Sequence, residues 1–423
     1  MASRVAPIGG PKSHPLANYL LGVGLTLLVL VGGVTTYFGV THVIATGQTS
    51  SRQQALAPFY LPPAGWSAAA VGTLLRSEHV GGVPAGGLGW RILYVSQDAA
   101  GTKVVSSGLV FAPGHGSIPS PGRNVVAWAH PTVGMGDQCA PSRTVNVESD
   151  IPGLADFLAS GWVVAATDYA GLGTPGTEQY LVGAAEAHDV LNSVRAARAI
   201  RAAHAGTSVA VFGHSQGGQA ALWAADDASY APELSLVGVA AAAPAAELGP
   251  LIDHQWPSIY GSLIGAEVLV AYASTYPTLR LRDVTSRPQK RIAELADRCI
   301  IPAMLDIVAS KVVGGGPLLD HNPLTEPGWR AALMANTPPT PSIPTLIVQG
   351  TDDPIVLPGT NALYVQRACA TTHQVTAVFI GALGHMKAGV AAAPIASTWF
   401  QQRFSGSPAG TTCDTRLPVP PLR

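Results

Sequence analysis

The segment Gly213-His214-Ser215-Gln216-Gly217 places a serine where nucleophilic chemistry needs one. An apolar run at 208–212 precedes the segment and an alanine-rich stretch at 219–223 follows it, a pattern that predicts a strand, a sharp turn and a helix. A serine hydroxyl is a weak nucleophile, so it must stand on a tight turn where a histidine can take its proton. Glycines at both ends let such a turn close without side-chain clashes. The pattern therefore predicts a nucleophile elbow with Ser215 as the nucleophile.

An acid and a base should follow the nucleophile at the ends of later strands. Asp353 is the best acid, because it lies in a loop directly after the apolar run at 345–350, and Asp352 is the alternative. His385 is the best base, because it comes after the acid, at the end of the last strand-like run. His214, beside the serine, is interpreted as a packing residue of the elbow.

In this interpretation His385 deprotonates Ser215 as the serine attacks an ester carbonyl, and Asp353 holds the imidazole in the correct tautomer. Water then hydrolyses the acyl-enzyme. The developing oxyanion needs two preorganised donors. We expect one to be the backbone N–H of Gln216 and the other to come from the loop after 125–129, with Thr132 as our choice.

Strand-like and helix-like segments alternate around these residues, which predicts an α/β fold with a mostly parallel sheet covered on both faces. The predicted strands are Lys103–Phe111, Asn124–His130, Trp162–Asp168, Ser208–Ser215, Leu236–Ala242, Pro344–Gly350 and Val375–Ile380. The predicted helices are Gly153–Ser160, Ala184–His204, Gly218–Asp227 and Leu363–Ala370.

The alternation stops at about 245–343, where the sequence is helical and loop-like. This stretch is too long for a structureless loop in a compact domain. We expect an inserted helical cap over the carboxyl edge of the sheet, where it can form the substrate pocket. Additional core helices without a gating role are the alternative.

The N-terminal region predicts a membrane segment. No charged residue lies between Lys12 and Arg52, and Leu20–Val40 is almost continuously apolar, long enough for one helix to cross a bilayer. The predicted organisation is a cytoplasmic segment at 1–19, a transmembrane signal anchor at 20–46, a linker at 47–65 and an exported catalytic domain at 66–423. Secretion after cleavage near Gly47 is the alternative.

Composition and cysteine usage limit the partners. The formal net charge of -1 does not indicate the excess of basic residues that nucleic-acid binding requires, so we expect no nucleic-acid partner. Four cysteines in an exported chain favour disulfides, for which three pairings are possible, and four reduced thiols are the alternative. No C-x-x-C or H-E-x-x-H spacing is present, so we expect no metal and no cofactor. The glycines at 171–176 match G-x-G-x-x-G but do not open directly into a helix, which argues against a dinucleotide site.

Several segments together resemble the secretory lipase family, the fungal lipase A type of the α/β-hydrolase superfamily. They are His130–Gly134 leading to Cys139–Ser142, then Thr167–Gly173, the Ser215 elbow, and the Asp353 and His385 loops. The resemblance covers the chain from about Pro62 onward. It implies an α/β-hydrolase fold, a Ser-Asp-His lipase or esterase with a cap before the acid-bearing strand, and disulfides that pair Cys139 with Cys299 and Cys369 with Cys413.

Three functions remain open at this stage. The first is hydrolysis of carboxylic esters, especially lipid esters, outside the cytoplasmic membrane. The second is acyl transfer from the same acyl-enzyme to an alcohol. The third is a non-catalytic binding protein with a hydrolase fold, which the presence of all three predicted triad residues disfavours.

Overall fold

The computed structural model describes residues 50–301, 303–304 and 318–422 of the 423-residue chain. The compact unit that contains the predicted site begins at Phe59. The predicted signal anchor at 20–46 lies outside the described residues. Among the helices of the described part, none is both long and apolar enough to cross a bilayer.

The predicted linker at 47–65 extends too far toward the C-terminus. Tyr60 is buried, its hydroxyl lies 2.7 Å from the Ser142 hydroxyl, and the Arg143 guanidinium lies over its ring. An aromatic ring with a satisfied hydroxyl is a packed core element rather than part of a solvated linker. The folded unit therefore starts seven residues before the predicted boundary at 66.

A nine-stranded sheet forms the centre of the described chain, in the order β1-β2-β3-β5-β4-β6-β7-β8-β9. The strands are β1 (Leu74–Val80), β2 (Leu88–Gln97), β3 (Lys103–Ala112), β4 (Arg123–Ala129), β5 (Val163–Thr167), β6 (Ala205–His214), β7 (Ser235–Ala242), β8 (Thr345–Gly350) and β9 (Val375–Ile380). The antiparallel pairs are β1–β2, β2–β3 and β3–β5. The parallel pairs are β5–β4, β4–β6, β6–β7, β7–β8 and β8–β9. The mostly parallel sheet is confirmed.

Helices cover both faces of this sheet. They are α1 (Leu154–Ala159), α2 (Gly183–Ala199), α3 (Gln216–Asp226), α4 (Leu248–Gln255), α5 (Ile259–Thr275), α6 (Gln289–Ala296), α7 (Pro327–Ala335), α8 (Pro358–Cys369) and α9 (Ala388–Phe404). One core packs α2, α3 and α8 against the sheet, and the other packs α1 and α9 against the opposite face. Strands buried on both faces are nearly all apolar, which explains why the central ones were predictable.

Helices α4 to α7 lie between β7 and β8, the stretch predicted as a cap. They share an apolar cluster that includes Leu251, Leu269, Tyr272 and Trp329, all of them buried. Tyr180 and Leu181, from the loop before α2, belong to the same cluster. These helices therefore pack on the loops at the carboxyl edge of the sheet, not only on one another.

The cysteines form the sequential pairs. Cys139 is joined to Cys299, which ties the loop after β4 to the chain following α6. Backbone hydrogen bonds from Ile300 N to Val133 O and from Met135 N to Ala296 O run beside this disulfide. Cys369 is joined to Cys413, which fastens the C-terminal segment to α8.

Candidate active site

Ser215 lies at the junction of β6 and α3 in a strained backbone conformation. Its φ of 58° and ψ of -117° fall in a region that residues with a Cβ rarely adopt. The turn is held because Ser215 N donates to Ala242 O at 2.9 Å and Ser215 O accepts from Gln219 N at 3.1 Å. Strain of this kind, fixed by neighbouring backbone, is typical of a nucleophile elbow.

The glycines that flank the serine are required by close backbone contacts. A Cβ at Gly213 would overlap the carbonyl of Gly217, and a Cβ at Gly217 would overlap the carbonyl of Ala129 at the end of β4. No side-chain rearrangement can relieve an overlap with backbone. The two glycines therefore let the first turn of α3 pass directly over the strands.

Asp353, rather than Asp352, is the carboxylate that faces the site. Asp353 is 3% exposed, and its Oδ1 accepts hydrogen bonds from the backbone N–H groups of Ile355 and Val356, both at 2.9 Å. The Gln349 amide donates to its Oδ2 at 3.3 Å. Asp352 is exposed, and its carboxylate accepts from the hydroxyl of its neighbour Thr351 at 3.1 Å.

His385 connects the carboxylate to the serine. Its Nδ1 lies 2.7 Å from Asp353 Oδ2, and its Nε2 lies 2.9 Å from Ser215 Oγ. A carboxylate only accepts hydrogen bonds, so the ring proton sits on Nδ1 and Nε2 accepts from the serine hydroxyl. The structure thus brings the three predicted residues into one continuous hydrogen-bonded chain.

His214 holds the histidine loop and does not face the serine as a base. Its Nε2–H donates to the backbone carbonyl of His385 at 3.1 Å, and the two rings lie 5.0 Å apart. Burial, with a smaller effect from His385, lowers the pKa of His214 to about 3. A neutral imidazole committed to this hydrogen bond fits the predicted packing role.

The two predicted oxyanion donors come from different elements, the start of α3 and the loop after β4. Gln216 is the first residue of α3, where backbone N–H groups have no partner within the helix. The Thr132 hydroxyl lies 2.8 Å from the Tyr180 hydroxyl, and Tyr180 lines the same cavity as Ser215. The donor roles of Gln216 and Thr132 stay predictions.

A largely apolar cavity opens at the serine. Its wall combines Ser215, Gln216 and Tyr180 with side chains from the helices between β7 and β8. The apolar lining includes Leu248, Leu251, Ile252, Trp256, Ile264, Val268, Leu269 and Trp329. This arrangement suits a ligand with one polar reacting group and an apolar body.

Asp168 anchors the loop that carries Cys139. Its carboxylate accepts from Ser142 N at 2.9 Å and from the Ser107 hydroxyl at 2.6 Å, and the Ser142 hydroxyl also donates to it. All three residues are buried. The aspartate in the 167–173 motif therefore supports the structure rather than the chemistry.

Sequence reasoning missed several side chains that hold the site. The buried Gln349 side chain contacts Asp353, and the Gln216 side chain contacts the buried carboxyl groups of Glu178 and Glu186. None of these three contacting residues lies in a recognisable motif. The only available signal was the position of Gln349 on a predicted strand leading to the acid. For the two glutamates nothing in the local sequence separates them from solvent-facing charges.

The mostly parallel sheet with helices on both faces and a serine on the strand–turn–helix junction defines an α/β-hydrolase. The family described as secretory lipase matches residues 137–412, more than half of the chain. The chain therefore belongs to the secretory lipase family and is a carboxylic ester hydrolase.

Individual relatives agree with this assignment. Lipase 5 of Candida albicans is 26% identical over 393 residues, covering 84% of this chain and 82% of the relative. A probable inactive lipase of Mycobacterium tuberculosis is 25% identical over 385 residues, covering 83% of this chain and 82% of the relative. The closed state of Candida antarctica lipase A has a similar fold, with a TM-score of 0.69, 19% identity and coverage of 86% of this chain and 89% of that chain.

Proposed function

We propose that this protein hydrolyses lipid esters through a covalent acyl-enzyme on Ser215, with His385 as general base and acid and Asp353 as its orienting carboxylate. The observation that carries the proposal is the unbroken hydrogen-bonded chain from Ser215 Oγ through His385 to Asp353, at 2.9 and 2.7 Å. Heavy-atom distances of this size are what proton transfer between positioned groups requires.

Acylation begins when His385 Nε2 takes the proton of Ser215 Oγ while Oγ bonds to the ester carbonyl carbon. The carbonyl oxygen becomes negatively charged in the tetrahedral intermediate. His385 then gives the proton to the leaving alkoxide, which departs as the alcohol. Asp353 stabilises the imidazolium that forms between these two steps and does not take its proton.

The oxyanion is stabilised in this scheme by the Gln216 N–H and by a donor from the Thr132 loop. The N-terminus of α3 adds the favourable end of the helix dipole. Loss of one such donor costs about 3 kcal/mol of transition-state stabilisation. Water then attacks the acyl-enzyme, with His385 again as base, and releases the acid and free Ser215.

The substrate class follows from the cavity. Side chains such as Leu251, Ile264 and Leu269 line the same cavity as Ser215, and most of the other lining residues are apolar as well. An ester with an apolar acyl chain buries its chain there, while its carbonyl reaches the serine. The names of the relatives, which include several lipases, support the same class.

The catalytic unit is placed outside the cytoplasm in this proposal. Two disulfides fit an oxidising compartment, and the matching family is described as secretory. The predicted anchor at 20–46 would hold the protein to the membrane, and cleavage near Gly47 would release it.

The test compares the full-length protein with Ser215→Ala on p-nitrophenyl esters from acetyl to palmitoyl and on emulsified triglyceride. The wild-type protein should hydrolyse long-chain esters and release p-nitrophenol and the free acid. Ser215→Ala should lose at least about 10³-fold in kcat, because the other triad members do not act without the nucleophile. Ser405→Ala, at an exposed serine directly after α9, is the matched control and should behave like the wild type.

Product analysis separates the remaining outcomes. Free fatty acid as the main product supports hydrolysis, whereas a new ester formed with an added alcohol at low alcohol concentration indicates an acyltransferase. Full activity in Ser215→Ala would overturn the proposed mechanism. Activity confined to acetyl and butyryl esters would overturn the lipid substrate class and leave the triad in place.

A further inference from the structure

The side chain of Gln216, the residue after the proposed nucleophile, is held between two buried carboxyl groups. Its Nε2 donates to Glu178 Oε1 at 2.9 Å and to Glu186 Oε1 at 2.8 Å. Gln216 and Glu186 are each 1% exposed, and Glu178 is 3% exposed. We call Glu178 and Glu186 the carboxyl clamp. Both N–H bonds of one amide are used, so the clamp fixes the direction of the Gln216 side chain.

Glu186 also connects this amide to the wall of the cavity. Its Oε1 accepts from the backbone N–H of Leu181 at 2.8 Å, and Leu181 lines the cavity at Ser215. The Leu181 carbonyl in turn accepts from the hydroxyl of Tyr272 on α5 at 3.1 Å. One carboxyl oxygen therefore joins the elbow, the loop before α2 and, through Leu181, a helix from the predicted cap.

The environment of the clamp is acidic and dry. Burial raises the pKa of Glu178 to about 8 and raises that of Glu186 well above its ordinary value. Asp189, the other charged group that acts on the pair, is an acid as well, and the buried Glu267, on which Glu178 acts, is another. Two carboxylates around one amide would also repel each other, so burial and repulsion both favour the protonated forms of Glu178 and Glu186.

The carboxyl clamp destabilises the fold, and a role for the position of Gln216 in the reaction explains why the clamp is present. Burial of several carboxyl groups without a positive partner costs free energy, and a core of apolar residues would avoid that cost. Gln216 supplies the backbone N–H that the proposed mechanism aims at the oxyanion. Catalytic donors act best when their orientation is fixed before the reaction, because no reorganisation is then needed in the transition state.

We propose that Glu186 and Glu178 are positioning residues that hold Gln216, and with it the backbone N–H that stabilises the oxyanion. The inference rests on the proposed function, since it assigns the pair to the same reaction. The clamp residues touch neither the substrate nor the reacting atoms.

The experiment measures how fast an alkyl p-nitrophenyl phosphonate labels Ser215 in full-length wild type, Glu186→Leu and Glu186→Gln. The phosphonyl oxygen takes the place of the oxyanion, so the rate constant for each titratable site reports the donor. Glu186→Leu should lower this rate constant and kcat together by about 10- to 100-fold, with KM changed by less than about threefold. A purely structural role would lower the fraction of titratable sites instead.

The conservative variant provides the rescue. Glu186→Gln retains an oxygen that can accept from Gln216 and Leu181, and its new amide replaces Oε2, which has no hydrogen-bond partner among the described residues. This variant should recover most of the rate constant lost in Glu186→Leu. Glu233→Leu, which removes a surface ion pair with Arg195, is the control for loss of a glutamate and should label at the wild-type rate.

Labelling of Glu186→Leu at the wild-type rate per folded site would overturn the clamp while leaving the triad intact. If Glu186→Leu does not fold, Glu178→Leu takes its place with the same expected and refuting results, because the Glu178 carboxyl also accepts from the Gln216 amide. Absence of labelling at Ser215 in the wild type would instead overturn the proposed function and the clamp with it.

Discussion

Replacing Asp353 with asparagine should reverse the hydrogen bond that orients the His385 ring. Asp353 Oδ1 accepts from two backbone N–H groups, those of Ile355 and Val356. The carbonyl oxygen of an asparagine must take this position, because the amide nitrogen would face two donors there. The new Nδ2 then stands where Oδ2 was, 2.7 Å from His385 Nδ1.

An amide at that position donates to Nδ1, so the ring proton moves to Nε2. Nε2–H then points at Ser215 Oγ, 2.9 Å away, and cannot accept the serine proton. Loss of the correct tautomer costs about 10⁴-fold in kcat, or about 5 kcal/mol of transition-state stabilisation. KM should change little, because the substitution removes no contact with the cavity lining.

The assay is steady-state hydrolysis of a p-nitrophenyl ester, with active-site titration to count folded enzyme. Asp352→Asn is the matched control, since this neighbouring carboxylate is exposed and lies outside the Ser215–His385 chain. We expect Asp352→Asn to retain the wild-type kcat. If Asp353→Asn stays within about tenfold of the wild type, the argument that Asp353 sets the His385 tautomer is refuted.

Two further predictions concern stability. Glu178 has a folded pKa of about 8 against an ordinary 4.5, so it binds a proton on folding and the free energy of unfolding falls as pH rises between these values. Glu178→Gln should remove this pH dependence. In denaturant titrations from pH 5 to 7, the free energy of unfolding of the variant relative to the wild type should rise by about 1.4 kcal/mol per pH unit. The same pH dependence of the free energy of unfolding in both proteins would contradict the burial argument. Gly217→Ala should destabilise the protein by about 3 kcal/mol, because the new Cβ overlaps the Ala129 carbonyl. Gly410→Ala is the control, since Gly410 lies in open space, and this variant should melt like the wild type. Equal melting temperatures for the two variants would argue against a rigid elbow.

The central strands and the site residues could be predicted from the sequence because their signals are local. β6 is apolar over 209–212, directly before Gly213, and Asp353 and His385 follow strands of the same kind. Parallel strands that end at one sheet edge bring the loops after them together. The order of the three residues along the chain was therefore enough to place them in one site.

The strands β1 and β2 and the helix α9 were missed because their patterns are interrupted, in α9 by Pro394. β1 contains Arg76, Glu78 and His79, and β2 contains Arg91, which is 4% exposed. Arg91 forms an ion pair with Glu78 across the two strands and donates to Ser142 O at 2.8 Å. A charge that is satisfied only by a distant partner looks like a surface residue in the sequence.

The clamp glutamates were unpredictable for the same reason, and their burial affects the chemistry. An ionised carboxylate beside Gln216 would place a negative charge near the oxyanion that forms at Ser215, and so would raise the barrier. A protonated carboxyl still offers acceptor oxygens to the Gln216 amide without that charge. Burial favours the protonated, neutral forms of Glu178 and Glu186, and it therefore suits the clamp to a reaction with an anionic transition state.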